Sequence, residues 1–263
     1  MSIDHQKIVD SQRLVVEVFK GFRSELISAY GNIGYKYKAD TTQVTELDIK
    51  VEQNLKHSLA LAYPEFGFQG EETGKSGNSH QFWLVDPIDG TSSFIRGLPF
   101  CTNMAALIVD DQPVAAVIYD FIRDILYTAL KGEGAYKNDQ PIHVNDNRSA
   151  GNLSIYSLSG HRFDDLRTLM QAVGVKCYYP VGAAGHEYVM LAEGKIDGVA
   201  VFNTKTSAHD NAPGLLLVTE AGGRVESFDG QNDIYIHEFI AGTLAISNIV
   251  RQQQAAFHTL IGR

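Results

Sequence analysis

Trp83-Leu84-Val85-Asp86-Pro87-Ile88-Asp89-Gly90-Thr91 carries the reading on which the rest of the chain depends. The apolar run from Gln81 to Val85 has the length of a buried strand, and Asp86-Pro87 turns it into a loop. Two carboxylates then stand three residues apart, with proline stiffening the backbone between them. Such a loop can aim Asp86 and Asp89 at one point, where they repel unless a cation lies between them. Hard divalent cations take oxygen ligands, so Mg²⁺ suits the pair. Gly90 lets backbone N–H groups approach an anion closely. An ordinary D-x-x-D-G turn accounts for the same letters equally well.

Working outward, apolar positions Ile8, Val15, Val18, Phe22 and Leu26 predict an amphipathic helix from about Asp4 to Tyr30, and a second helix runs from Thr45 to Ala62. Phe66-Gly67-Phe68 is a strand candidate. Thr102–Val109 and Val114–Tyr119 read as a hairpin around Asp110-Asp111, with Ile125–Leu130 as a third antiparallel strand. Turns follow at 131–134 and 138–139. The second half alternates: strand Leu153–Leu158, helix Phe163–Val173, strand Lys176–Tyr179, helix Glu187–Ala192, strand Gly198–Phe202, helix Ala212–Ala221, strand Phe239–Ile246, and a last helix to about Leu260. The expected organisation is an N-terminal α+β half, 1–147, and a C-terminal α/β half, 148–263, packed as one compact unit.

The 263 residues carry a formal charge of −9 and are 44% hydrophobic, which argues for a globular chain and against non-specific binding to nucleic acid or an anionic membrane. Cys101 and Cys177 cannot build a disulfide framework, and the nine histidines form no HExxH pair. No apolar run reaches the ~18 residues of a membrane span, and the N-terminus lacks a signal-peptide pattern, so a cytoplasmic location is expected. An acidic surface repels phosphate esters; a phosphate-using site here needs local positive charge, and metal ions are its obvious source.

Further acidic positions each have a plain structural account. Glu71-Glu72 fits an exposed turn. Asp48, in Thr45-x-x-Asp48, fits a capping box, and Asp210 fits a helix N-cap before Leu215–Val218. As an ordered set they say more. Lys38-x-Asp40, Val44-Thr45-x-x-Asp48, Gly70-Glu71-Glu72, Asp86-Pro87-Ile88-Asp89-Gly90-Thr91 and Asp210-x-Ala212-x-Gly214 resemble the inositol monophosphatase family. Gly97-x-Pro99, Ala116–Asp120, Lys131-Gly132-x-Gly134-Ala135 and Glu220-Ala221-Gly222-Gly223 extend the resemblance over nearly the whole chain.

The resemblance implies the layered αβαβα sandwich of the sugar phosphatases and a Mg²⁺-dependent phosphomonoesterase for a small inositol, sugar or polyol phosphate. It implies two or three Mg²⁺ held by Glu71, Asp86, the Ile88 carbonyl, Asp89 and Asp210, with Thr91, Asp48 and Glu71 serving the attacking water. Gly90 and Thr91 would meet the phosphate; Gly182, Ala183, Ala184, Asn203 and His209 would meet the alcohol. Lys38 is placed to screen the phosphate or restrain a third metal. Lithium sensitivity and a homodimer are family expectations. A 3′(2′),5′-bisphosphate nucleotidase shares the metal cluster, and a regulatory binding protein with vestigial catalysis is an alternative of another class. Gln43, Ser93, Phe121 and His209 depart from the family's usual proline, asparagine, proline and tryptophan.

Overall fold

The computed structural model describes residues 4–147, 154–157, 163–202 and 207–261. Along the chain these form α1 (His5–Ala29), β1 (Tyr35–Tyr37), β2 (Gln43–Thr45), α2 (Glu46–Ala62), β3 (Gly67–Gly70), β4 (Gly74–Ser76), β5 (Gln81–Asp89) and α3 (Thr91–Arg96). There follow β6 (Thr102–Val109), β7 (Gln112–Asp120), β8 (Ile125–Leu130), β9 (Gly134–Lys137), β10 (Gln140–Ile142), β11 (Ser154–Ser157), α4 (Phe163–Ala172) and β12 (Lys176–Tyr178). The last elements are α5 (Ala184–Ala192), β13 (Gly198–Phe202), α6 (Ala208–Glu220), β14 (Arg224–Ser227), β15 (Glu238–Gly242), α7 (Leu244–Gln252) and α8 (Gln254–Ile261).

Strand alternation sorts these elements into five layers. An eight-stranded sheet runs β10-β9-β8-β7-β6-β5-β3-β4. One face, with Trp83, Val85, Ala105, Leu107, Val117 and Tyr119, buries Val15, Phe19 and Leu26 of α1 and Val51 and Leu55 of α2. The opposite face turns Met104, Ala116 and Ile118 toward α5 and α6. Beneath those helices lies a five-stranded sheet, β12-β11-β13-β15-β14. Its Val199, Val201, Phe239 and Ala241 complete the same core, while Ala200, Phe202 and Ile240 face Leu166, Met170, Val250 and Phe257 of α4, α7 and α8. The expected αβαβα sandwich is the architecture found.

Several boundaries differ from the sequence expectation. β5 continues through Asp89 instead of ending at Val85, but its pairing with β6 shifts register between Asp86 and Asp89. Pro87 has no N–H to give the ladder, and its carbonyl is taken by the Asn103 side chain at 2.6 Å. α6 starts four residues early because Ser207, not Asp210, is the N-cap; Asp210 sits at N3 and reaches back to it. β15 stops at Gly242 because Thr243 caps α7, its hydroxyl accepting from Ile246 N–H. The short strands β1, β2, β4, β9, β10 and β14 carry too few alternating residues to be read from pattern alone. The joint expected between the two halves lies partly outside the described residues.

The α5–α6 contact beneath the first sheet leaves no slack. A Cβ on Gly214 of α6 would lie 2.0 Å from the buried Tyr188 ring of α5. Alanine gains about 1 kcal/mol of helix propensity over glycine, and overpacking at this separation outweighs it. Gly214→Ala is expected to lower unfolding stability by a net ~2 kcal/mol in urea titration; a change within about 0.5 kcal/mol would show that the layer can open.

Candidate active site

The parallel pairing of β3 and β5 sets Gly70 beside Val85, so the residues after each strand end emerge together. Glu71 N–H donates to Val85 O at 3.1 Å, which places Glu71 next to Asp86. On one face of the sheet α6 presents Asp210 on its first turn, and on the opposite face α2 presents Asp48 on its own first turn. Glu71, Asp86, Ile88, Asp89, Gly90, Thr91 and Asp210 all line one cleft of about 460 Å³, whose outer wall includes Tyr37, Thr41, Thr42, Gln43, Ser92 and Arg96.

Asp86, Asp89 and Asp210 each bring a carboxylate oxygen to within 4.8 Å of the others. Hydrogen bonds aim two of them from outside. Asp89 Oδ1 accepts from Ala184 N–H at 3.0 Å, and its Oδ2 from Gly185 N–H at 2.8 Å and the Thr102 hydroxyl at 2.9 Å. Asp210 Oδ2 accepts from Ser207 N–H at 2.7 Å. Asp86 Oδ1 is buried and has no hydrogen-bond partner among the described residues. A buried carboxylate oxygen left in this way is costly unless a cation meets it. The donors are all oxygens, as Mg²⁺ requires, so the residues present fit the ion.

Electrostatics point the same way. Burial, then the charges of Glu71, Asp89 and Asp210, push the Asp86 pKa up. Burial also raises Asp89, against the pull of the Gly185 and Thr102 donors. Asp210 rises to about 6, mainly through burial. All three are held above the ordinary carboxylate range, a state that a divalent cation reverses.

Beside the trio, the Thr91 hydroxyl lies 3.0 Å from Asp48 Oδ1 and 2.9 Å from the Ile88 carbonyl. Asp48 Oδ2 is committed to its own helix, accepting from Thr45 N–H at 2.8 Å and from the Thr45 hydroxyl. Burial raises the Asp48 pKa, which favours proton acceptance.

Glu71 shares the cleft but stands outside the trio. Its Oε1 is held by Lys38 Nζ at 2.6 Å, and the same ammonium bonds Glu72 Oε1 at 2.9 Å. Lys38, flagged in the sequence as a screen for phosphate, is thus paired with carboxylates here. The Glu71-Glu72 turn is held from below by Glu52, a fully buried α2 residue that accepts from Glu72 N–H at 2.9 Å and Thr73 N–H at 2.6 Å. A Cβ on Gly70 would sit 2.0 Å from that carboxylate, so the glycine is what admits it. Glu52, Thr102, Gly185 and Ser207 were not among the sequence-level candidates. Only Ser207 had a local signal, the Ser-x-x-Asp capping pattern.

The residues expected to meet the alcohol divide differently. Ala184 N–H is spent on Asp89. Ala183 is near enough that a Cβ on Gly90 would lie 3.0 Å from its own; Gly182 takes φ +101°. Gly90 itself has φ +79°, and a Cβ there would meet Phe100 O at 2.4 Å, so this turn demands glycine. His209 is half-buried on α6 with Nδ1 3.1 Å from the Ser207 hydroxyl; burial lowers its pKa to about 4, so the ring is neutral at pH 7. It does not line the cleft with Asp86. Asn203 lies outside the described residues.

The family model described as the inositol monophosphatase family matches residues 10–260. An inositol-1-monophosphatase of Mesorhizobium japonicum is 35% identical over 219 residues, covering 77% of this chain and 79% of its own. A Nus factor SuhB of Xylella fastidiosa is 31% identical over 233 residues, 82% of each chain. The crystal structure of the extragenic suppressor protein suhB from Bartonella henselae superposes with a TM-score of 0.80 at 31% identity, covering 94% of this chain and 98% of that one.

The raised carboxylate pKa values have a definite sign. A carboxyl whose folded pKa lies above its unfolded value near 3.9 adds stability below that value and loses it as pH rises through the folded pKa, about 6 for Asp210. The metal-free protein is therefore expected to gain thermal stability between pH 7.5 and pH 5.5. Mg²⁺ should raise Tm on the order of 5 °C at pH 7.5, with the gain shrinking below pH 6 as protons compete. Melts that show no Mg²⁺ effect at pH 7.5 would contradict this arrangement.

Proposed function

We propose that this chain, which belongs to the inositol monophosphatase family, is a Mg²⁺-dependent phosphomonoesterase of a small inositol, sugar or polyol phosphate, with the cleft around Asp86 as its site. The observation that carries the assignment is the Asp86–Asp89–Asp210 trio, in which the buried Asp86 Oδ1 has no hydrogen-bond partner among the described residues, lying beside the Thr91–Asp48 pair.

In this reading Asp86, Asp89 and Asp210 hold Mg²⁺ jointly, and Glu71 and the Ile88 carbonyl complete the ligand set. The Ile88 oxygen accepts at most one bond from Thr91, which leaves it a lone pair for this use. Magnesium there supplies a Lewis acid for the phosphoryl oxygens and lowers the pKa of the attacking water. Thr91 positions that water: its hydroxyl gives its proton toward Asp48 or Ile88 O and offers lone pairs to the incoming O–H. Asp48, buried and raised in pKa, receives the proton passed on through Thr91. Gly90, free of a Cβ in a left-handed turn, lets the phosphate approach the backbone. Asp89, locked by three donors, keeps one remaining lone pair of Oδ1 aimed at the centre.

A cytoplasmic homodimer is carried over from the family; no helix among the described residues is long and apolar enough to cross a membrane. The Nus factor name of the Xylella relative favours a second reading, a regulatory binding role. The retained trio argues that such a role would accompany catalysis.

Phosphate release from inositol, sugar and nucleotide phosphates, with Mg²⁺ and with EDTA, tests the assignment. Mg²⁺-dependent turnover is expected, lost more than ~100-fold in Asp89→Asn, beyond the effect of losing an outer-shell partner. Thr91→Ala should lower kcat by at least ~100-fold with little change in Mg²⁺ affinity. A folded protein inactive on every ester would transfer the assignment to the regulatory reading.

A further inference from the structure

The outer wall of the cleft carries a charge that the reaction as described does not use. Among the described residues lining it, Arg96 is the one cation, set against Glu71, Asp86, Asp89 and Asp210. Lys38, the nearby alternative, is already engaged by two carboxylates. Arg96 makes no ion pair among the described residues. Neutral groups hold it: Nη1 donates to Ser92 O at 2.8 Å and to Gln43 Oε1 at 3.3 Å, and also contacts the Ser92 hydroxyl. Among the described residues Nε and Nη2 donate to nothing. In a chain of 31 acidic and 22 basic residues, an arginine braced on the rim of an anion site without an acidic partner retains its full charge for a ligand.

Gln43 makes that bracing possible. It stands where the family pattern more often has proline, which has no side-chain acceptor to offer a guanidinium. Tyr37, Thr41, Thr42 and Ser92 add hydroxyls around the same wall. The cleft's volume of about 460 Å³ leaves room beyond the phosphate under attack for an alcohol part that reaches this wall.

We propose that Arg96, oriented by Gln43 and Ser92, selects phosphate esters whose alcohol part carries a second anionic group, a phosphate or a carboxylate, which it binds on the outer wall of the cleft. The proposal rests on the cleft being the phosphatase site, and it makes Arg96 a specificity-determining residue with no part in bond cleavage.

The test compares kcat/KM for a sugar bisphosphate, the matching sugar monophosphate and a phosphorylated hydroxy acid in the wild-type chain, Arg96→Gln and Arg96→Lys. Arg96 is exposed on the last turn of α3, so neither change disturbs the core. Arg96→Gln should cost about tenfold or more on the doubly anionic esters, mainly through KM, and no more than about threefold on the monophosphate. Arg96→Lys should recover part of the loss, because it keeps the charge without the planar fork. The bisphosphate and hydroxy-acid arms show which second anion is preferred. An equal loss on all three esters, as expected if Arg96 only braces α3, would overturn the proposal, as would no loss on any. Calorimetric binding of the non-hydrolysable methylenephosphonate analogue of the bisphosphate separates the two claims. Tighter binding by wild type than by Arg96→Gln, in a protein that turns over no ester, would sustain the anion site and refute the phosphatase reading; equal affinity refutes the anion site.

Discussion

Three carboxylates, two buried and one half-buried, held within 4.8 Å of one another are the constraint around which this molecule is arranged. Left alone they repel, and each is pushed toward its protonated form. The fold keeps them close by placing them on two rigid elements: Asp86 and Asp89 around the register shift of β5, Asp210 on the first turn of α6. The donors that fix Asp89 come from a third direction, the start of α5 and the neighbouring strand β6, while Asp210 is fixed by its own N-cap, Ser207. Sheet, helix layer and strand end therefore converge on one cleft.

Two helix starts serve this arrangement by the same device. Asp48 and Asp210 both occupy the third position of a helix and reach back to a Thr45 or Ser207 N-cap. Each gives one oxygen to the helix and keeps the other for the cleft. Asp48 Oδ1 meets Thr91, and Asp210 brings an oxygen to the trio. The capping bonds fix the carboxylate's rotamer through one oxygen alone, and aim follows from an ordinary local interaction. Structural and functional accounts of these two residues, which compete when the sequence is read alone, describe the two oxygens of one group.

Legibility followed the range of the interactions. The long helices, the 102–130 antiparallel strands and the Asp86–Thr91 segment are readable because period and turn chemistry are local, whereas the five-layer sandwich is legible only through the family resemblance. Thr45-x-x-Asp48 and Ser207-x-x-Asp210 are the same capping-box pattern, but Asp210 is itself a favoured N-cap type, and an N-cap there puts the start of α6 one turn late. Glu52 beneath the Glu71-Glu72 turn, and Thr102 and Gly185 on Asp89, left no local trace, since their partners lie 13 to 96 residues away. The Lys38–Glu71 ion pair joins two residues that the sequence flagged separately, with nothing in the sequence to say that they would meet.

Anomalous scattering from crystals soaked in Mn²⁺, a heavier stand-in for Mg²⁺, shows whether the trio is a cation site. A peak is expected within coordination distance of Asp86, Asp89 and Asp210 together, with Asp86 Oδ1 among its ligands. Manganese found only elsewhere, or no peak between these three carboxylates in well-ordered crystals, would contradict it.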